Sequence, residues 1–405
     1  MAITNKKPGV WGLDEVYNKQ NEGDIWTYTG TGELFSWGSG GNGRLGLNDT
    51  VSRSSPTQIP GAWGTGVKIA WTVGYYGQCT MAIKTDGTLW GWGSNQYGAL
   101  MNNETGNPAR RSSPVQIPGT TYADVATSNA ATAVIKTDGT FWIAGHDSNG
   151  NLGLGHNQGR SSPHQLPGTT WTDVSGGSSS WLARKSDGTL WSWGENGGAA
   201  LGQGNKTQYS SPRQVGTNTT WSGKISIQSN KSMAIKTDGT LWSWGDGDSG
   251  ALAQNNQTSY SSPRQVGTDT TWNSISDRRQ SLPGAGANFL ATKTDGTLWA
   301  WGGQGDFGSL GLNQGPGGPG AGSRSSPTQV GTDTNWSLTE DPYVDSFGAS
   351  AMKTDGTFWV WGGNDDGRLG FNTPSNTRYS SPTQLPGTWS QGIVTYGGSI
   401  AVKQG

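Results

Sequence analysis

The side chains that could do chemistry are few. Three histidines, His146, His156 and His164, stand 10 and 8 residues apart, and the one cysteine, Cys79, lies far upstream. Zinc sites want short ligand spacings with cysteine or carboxylate help. These spacings supply neither, so the histidines read as loop residues without a metal. Asp246-Gly247-Asp248-Ser249-Gly250 and Asn364-Asp365-Asp366-Gly367 have the oxygen-rich look of calcium loops, but no bidentate acid follows at the required spacing. They read as turns. A further aspartate recurs in one fixed context, Lys84-Thr85-Asp86-Gly87-Thr88-Leu89-Trp90, and again at 136–142, 185–191, 236–242, 293–299 and 353–359. A carboxylate repeated at the same place in six units fits turn geometry rather than catalysis. No Gly-x-Ser-x-Gly elbow, phosphate loop or carboxylate pair stands out. The expectation is a non-enzymatic protein with no cofactor.

The elements around the aspartate explain its recurrence. Asp-Gly between two apolar runs signals a hairpin, and a type I′ turn is the expected form. Before it runs a short apolar strand, as at Met81-Ala82-Ile83. After it comes an aromatic strand ending in Trp-Gly, as at Trp92-Gly93 and Trp193-Gly194. The Trp-x-Trp alternation puts both rings on one face of that strand. A glycine-rich loop ending in Leu-Gly or Ala-Leu follows, then Ser-Ser-Pro-x-Gln, first at Ser54-Ser55-Pro56-Thr57-Gln58 and last at Ser380-Ser381-Pro382-Thr383-Gln384. An aromatic residue comes next: Trp63, Tyr122, Trp171, Trp221, Trp272, Trp336 or Trp389. This gives about four short strands per unit of roughly fifty residues. Seven such units with no helical periodicity predict an all-β, seven-bladed propeller over residues 25–405, with a short N-terminal extension at 1–24. The chain ends in Ile400-Ala401-Val402-Lys403, a strand with no turn after it, and the first unit begins with the strand after the turn. Strand 400–403 therefore pairs beside 33–37 and closes the ring, with Ile25-Trp26-Thr27-Tyr28 as the competitor for that slot.

The motif Ala82-Ile83-Lys84-Thr85-Asp86-Gly87-Thr88-Leu89-Trp90, with Trp92-Gly93 and the later Leu-Gly and Ser-Ser-Pro-x-Gln elements, resembles the bacterial and viral branch of the regulator of chromosome condensation repeat family. The resemblance covers about residues 30–405. It implies a seven-bladed propeller and a binding role, and leaves the partner open. Members include an exchange factor for a small GTPase, a plant ultraviolet photoreceptor and a β-lactamase inhibitor. The photoreceptor's Gly-Trp-Arg-His-Thr motif is absent here.

Composition fits a binding propeller. The 405 residues include 68 glycines and 22 tryptophans, and only 31% are hydrophobic, so tryptophan must supply much of the buried area. A net charge of −1 with acid and base interspersed argues against nucleic acid as partner. No segment is apolar enough to insert in a membrane, and the opening has no apolar signal region. Most tryptophans read as blade core. Trp11, Trp26, Trp71 and Trp181 fall outside the repeated slots and are the better candidates for a specific contact. The residue before Ser-Ser-Pro is Arg53, Arg111, Arg160 or Arg324 in some units and Tyr209, Tyr260 or Tyr379 in others, which would place a ring of such side chains on one face.

Departures from the repeat point to function, because propeller loops vary where they bind. Residues 143–149, with His146 and Asp147, replace the usual Trp-Gly. Residues 276–287 insert Arg278 and Arg279, and 314–322 form a Gly/Pro loop. Glu340-Asp341-Pro342-Tyr343 is a further irregularity, and Tyr343 joins the candidate partner-binding residues. The segment Gly9-Val10-Trp11-Gly12-Leu13-Asp14-Glu15-Val16-Tyr17 is too short to hold a helix alone. Its apolar Trp11, Leu13, Val16 and Tyr17 must dock on something. The segment resembles openings of virion structural proteins of marine bacteriophages. The expectation is a virion structural or adhesion protein that binds neighbouring virion proteins or copies of itself, and beyond them a host surface receptor or glycan. The alternatives are a bacterial module that inhibits or scaffolds a partner, cytoplasmic or exported, and a nucleotide-exchange or light-sensing regulator.

Overall fold

The computed structural model describes residues 32–71, 78–276, 288–303, 307–313, 322–345, 347–374 and 376–404. The repeated turn shows how each unit folds. The Gly87 amide donates to Lys84 O at 2.9 Å, and the Lys84 amide donates to Thr88 O at 2.9 Å. Gly87 takes φ +76°, whereas Asp86 stays out of the left-handed region. The loop is therefore Thr85-Asp86-Gly87 with glycine at the bulge, not the expected two-residue type I′ turn, which needs positive φ at both central residues. The aspartate side chain decides this. Its Oδ1 accepts from the Thr88 amide at 2.9 Å and the Thr88 hydroxyl at 2.6 Å, a cap that forms when Asp86 keeps its right-handed conformation.

Among the described residues lie seven four-stranded antiparallel sheets, the expected seven blades. Blade 1 joins the two ends of the chain: Trp389–Thr395 and Gly398–Lys403 pair with Glu33–Gly38 and Arg53–Gln58. Glu33 faces Lys403, Phe35 faces Ala401 and Trp37 faces Ser399, so the C-terminal strand closes the ring as the leftover half-hairpins require. The competing segment 25–28 lies outside the described residues. Blades 2 to 7 follow in order, with first strands at Lys68–Trp71, Tyr122–Thr127, Trp171–Gly176, Trp221–Gln228, Trp272–Ile275 and Tyr343–Val344. First strands of most successive blades touch one another and surround the central axis. The ring has a turn face, which carries the Asp-Gly turns and the beginnings of the first strands, and a loop face, which carries the glycine-rich loops.

The core lies between blades. The second tryptophan of each Trp-x-Trp reaches back to the preceding blade and donates its Nε1–H to a loop carbonyl. The pairs are Trp92 to Arg44 O at 2.9 Å, Trp193 to Asn151 O at 3.1 Å, Trp244 to Ala200 O at 2.7 Å, Trp301 to Ala251 O at 3.1 Å and Trp361 to Ser309 O at 2.8 Å. Trp37 closes the ring onto Arg368 O at 2.7 Å. A glycine lies under most of these rings because a Cβ has no room: on Gly202 it would stand 2.8 Å from the Trp244 nitrogen.

Candidate functional site

The turn face uses its chemistry for structure. In each regular unit the first Trp of Trp-x-Trp donates to the threonine hydroxyl, which donates to the turn aspartate. For blade 4 these are Trp191 to Thr189 at 2.8 Å and Thr189 to Asp187 at 2.6 Å. The hydroxyl and amide of the threonine lower the carboxyls of Asp86, Asp138, Asp187, Asp238, Asp295 and Asp355. The lysine of the same motif lies between two rings. Lys185 Nζ is 4.6 Å from the Trp171 ring and 3.9 Å from Trp191, and Lys236 is 5.1 Å from Trp221 and 3.8 Å from Trp242. The two tryptophan slots of the repeat thus converge on its one lysine. The recurring Asp, Lys and Trp hold the blade together.

At the centre of the turn face a cavity of about 420 Å³ opens on the axis, lined among others by Val67, Lys68, Lys224, Asp341 and Gln391. Charges on this face pair both within and across blades. Lys224 Nζ is 2.7 Å from Asp341, Arg184 is 3.0 Å from Asp173, and Lys68 is 3.7 Å from Asp124. The irregular segment 340–343 therefore lies on the turn face, where first strands begin. Tyr343 is 2% exposed and forms a strand against Ser350. It is a core residue, which corrects its assignment as a binding residue. Trp71 and Trp181 are likewise wholly buried, so their irregular positions mark core packing and not contact sites.

The loop face carries the remaining candidates. His146 is half-buried and packs edge-on against Tyr97 of blade 2, ring centroids 4.8 Å apart. Asp147 is buried under its own loop. His156 Nε2 lies 3.2 Å from Arg160 Nη2, and His164 Nδ1 lies 3.0 Å from Ser162 O. The histidines thus have separate partners. No group of three or more His, Cys, Asp or Glu among the described residues is placed to hold a metal ion. Cys79 is core. Asp365 pairs with Arg368 at 2.6 Å, and Asp246 accepts from the Asp248 amide at 3.1 Å, as turn residues do. Arg278, Arg279, the 314–321 loop and the anchor residues Trp11, Leu13, Val16 and Tyr17 lie outside the described residues. The Arg and Tyr side chains before Ser-Ser-Pro make local bonds within their own blades, such as Arg53 to Asp49 at 2.6 Å and Asn205 to Tyr209 Oη at 3.0 Å.

One surface feature escaped the sequence reading. Phe307, Phe347 and Tyr396 come from loops of blades 6, 7 and 1 and meet in a strip, with centroids 4.9 and 4.4 Å apart. The Arg368 guanidinium lies 5.4 Å from the Phe347 ring and 5.3 Å from Tyr396. Buried Asp345 sets the strip, its carboxylate accepting from the Tyr396 amide at 2.6 Å and from the Phe347 and Gly348 amides at 2.8 Å. Tyr396 is 43% exposed. Nearby, Arg44 bonds to the neutral oxygens Gly41 O and Gln78 Oε1, at 2.9 and 2.6 Å, and burial lowers its pKa to about 10. The available signal was that these aromatics fall in loops, outside the two repeated slots.

Comparison with known proteins agrees with this architecture. The profile of the Regulator of chromosome condensation (RCC1) repeat matches residues 31–79, 86–135, 187–228 and 238–276. The chain is 28% identical over 286 residues to the RCC1 domain-containing protein RUG3, mitochondrial, of Arabidopsis thaliana, covering 69% of this chain and 52% of that protein. It is 33% identical over 136 residues to the human E3 ubiquitin-protein ligase HERC2, 32% of this chain but 3% of that one. The chain therefore spans about half of the first relative and a small part of the second. Yeast RCC1 (Prp20), in a crystal with Kap60, superposes with a TM-score of 0.74 at 17% identity, over 99% of this chain and 94% of that one, a likeness of fold. With its recurring Asp-Gly and Trp-x-Trp motif, its matched segments and its closed ring, this chain is similar to proteins built of regulator of chromosome condensation repeats.

Proposed function

We propose that this chain is a non-catalytic interaction propeller that presents its loop face to a partner protein. The observation that carries this is the strip of Phe307, Phe347 and Tyr396. Three blades contribute to it, a buried aspartate and the buried Arg368 support it, and it leaves aromatic surface in solvent. Exposed aromatic side chains clustered in this way are what protein interfaces use as anchors. The turn-face carboxylates and lysines are committed to holding blades, which leaves the loop face free to vary. Yeast RCC1, of the same fold, was crystallised with Kap60 bound, which supports a binding role for the scaffold.

Within that reading we infer a bacteriophage particle as the setting, with residues 1–24 as the anchor to neighbouring virion proteins and the loop face turned to a second protein or a host glycan. The support is the resemblance of the opening segment to phage virion proteins. Deleting residues 1–24 should leave a folded propeller that no longer enters particles. Phe347→Ser with Tyr396→Ser should keep the fold by circular dichroism and lose the loop-face partner in cross-linking. Particles that incorporate the deletion at wild-type level overturn the phage setting. An unchanged cross-linking pattern in the double variant overturns the loop-face assignment.

A further inference from the structure

The glycine-rich loop of a blade is pinned by one side chain, and blade 3 uses the wrong chemistry for it. In blade 4 Asn196 Oδ1 accepts from the Leu201 amide at 3.0 Å, and its Nδ2 donates to Asn205 O and Thr207 O, both at 3.0 Å. Asn95 in blade 2 accepts from Leu100 at 3.0 Å and donates to Glu104 O at 2.9 Å. Asn364 in blade 7 accepts from Leu369 at 2.9 Å and donates to Thr373 O at 3.2 Å. The pattern is the same each time: the amide five residues on is the donor, and the carbonyl nine residues on is the acceptor. All three asparagines are buried. In blades 1 and 5 the slot is Gly40 or Gly247, and a serine hydroxyl, Ser52 or Ser259, receives the glycine amide at 3.2 Å.

Blade 3 has Asp147 in this slot. Five residues on, the Leu152 amide reaches its Oδ1 at 3.5 Å, and nine residues on stands His156. Its side chain is wholly buried, and Oδ2 has no hydrogen-bond partner. An ionised carboxylate has no hydrogen to give the carbonyl that the asparagines bond. The titratable group that faces Asp147 is His156, with Nδ1 4.0 Å from Oδ2. Both ring nitrogens of His156 already meet donors, the Gln158 amide at 3.2 Å and Arg160 Nη2 at 3.2 Å. A neutral ring can accept from one of them, and a ring protonated at both positions from neither. Arg160 is held there by the ring and by Gly159 O, at 3.2 Å. From blade 2, Tyr97 packs on His146, and from blade 4, uncharged Ser210 approaches Gly150.

We propose that Asp147 is a protonation site: the neutral carboxyl donates its proton to the His156 carbonyl and closes loop 146–159, and loss of the proton to solvent loosens the loop. Burial, outweighing His156 and the amides of Leu152, Asn151 and Gly150, raises the Asp147 carboxyl, in keeping with this. The sign follows. A raised folded pKa gives stability that is complete below the ordinary aspartate range and lost as pH rises through the folded value. The inference is independent of what the loop face binds.

The test is Asp147→Asn in the full chain, since asparagine is what three other blades use. At pH 8 the variant should melt above the wild type, and its amides at 153–158 should exchange about tenfold more slowly, the factor that one regained buried hydrogen bond of ~1 kcal/mol or slightly more supplies. At pH 4 the two proteins should converge. A gap that is the same at both pH values, or a wild type more stable at pH 8, overturns the proposal. His156→Gln is the second variant. If it abolishes the pH dependence while Asp147→Asn keeps it, the proton belongs to the histidine and the proposal fails. If calcium chloride or sodium chloride tightens the wild-type loop at pH 8 but not that of Asp147→Asn, the carboxylate takes a metal cation instead of a proton, which also overturns the proposal.

Discussion

Six blade junctions are built one way, and the junction between blades 2 and 3 is built another. At the six, an indole lies on a small residue of the preceding loop and donates to that loop's backbone. The small residue is Gly46, Gly153, Gly202, Gly311 or Gly370, and Ala253 at the junction of blades 5 and 6. At the seventh, Ala144 takes the place of the tryptophan and Met101 takes the place of the glycine. Both are buried in the same cluster. The bulk has crossed the interface. Methionine suits this, since its unbranched chain fills irregular gaps. The indole-to-backbone hydrogen bond has no counterpart there, and Met101 keeps the left-handed backbone of the glycine it replaces, at φ +59°. The repeat thus fixes the summed volume at a junction more strictly than the residue that supplies it. Blade 3, next to the exceptional junction, also holds the aspartate that departs from the asparagine rule.

The largest effect should come from breaking a regular junction. Trp244→Ala removes a ring wholly buried against Gly202 together with its bond to Ala200 O. Loss of this size from a packed core costs about 3–5 kcal/mol, to be read as a lowered urea midpoint with unchanged slope. A loss under ~1 kcal/mol would mean that the indoles fill space the blades do not need.

The exceptional junction offers a smaller and sharper test. Ala144→Trp alone should drive the indole into Met101 and destabilise by about 1–3 kcal/mol. Met101→Gly alone should open a cavity at Ala144, offset in part because glycine adopts the left-handed backbone without strain. The double variant restores the arrangement of the other junctions and should be more stable than either single change, with a coupling energy of at least ~1 kcal/mol in the cycle. Additive losses would show that the exchange is coincidence, and that each residue packs on something else.

How much was legible follows from what repeats. The fold was readable because Asp-Gly, Trp-x-Trp and Ser-Ser-Pro each impose a local geometry, and seven copies leave little freedom in counting blades. The closing strand was readable because half a hairpin at each end needs a partner. The turn type was misread because the dipeptide was judged without the threonine after it, whose amide and hydroxyl both bind the aspartate. Tyr343, Trp71 and Trp181 were misread because irregular spacing was taken for exposure, whereas irregular slots also occur in the core. The strip of Phe307, Phe347 and Tyr396 was invisible because its members are distant in sequence and meet where the ring brings blades 6, 7 and 1 together. Arg278, Arg279 and the anchor residues remain proposals from sequence.

The smallest predicted effect turns the blade 3 argument around on the turn face. Asn218, before Trp221, has its counterpart in Asp269, before Trp272, so the chain makes the same asparagine-to-aspartate exchange in a second repeated slot. Here the acid gains partners. Burial pushes the Asp269 carboxyl up, but Lys293 Nζ at 2.5 Å and the Thr271 hydroxyl and amide at 2.6 and 2.9 Å outweigh it and hold it at about 2. A depressed carboxyl contributes stability that is present above the ordinary aspartate range and lost as pH falls through the folded value. Asp269→Asn should therefore lower the melting temperature slightly at pH 7, and the gap should close as pH falls from about 4 towards 2. The Asp269 side chain is 34% exposed, so solvent screening keeps the effect below ~1 kcal/mol and added salt should shrink it. Asp147→Asn should do the opposite, gaining stability at neutral pH. If both variants shift in the same direction at pH 7, what decides an aspartate's contribution in this ring is something other than whether its carboxylate finds a donor.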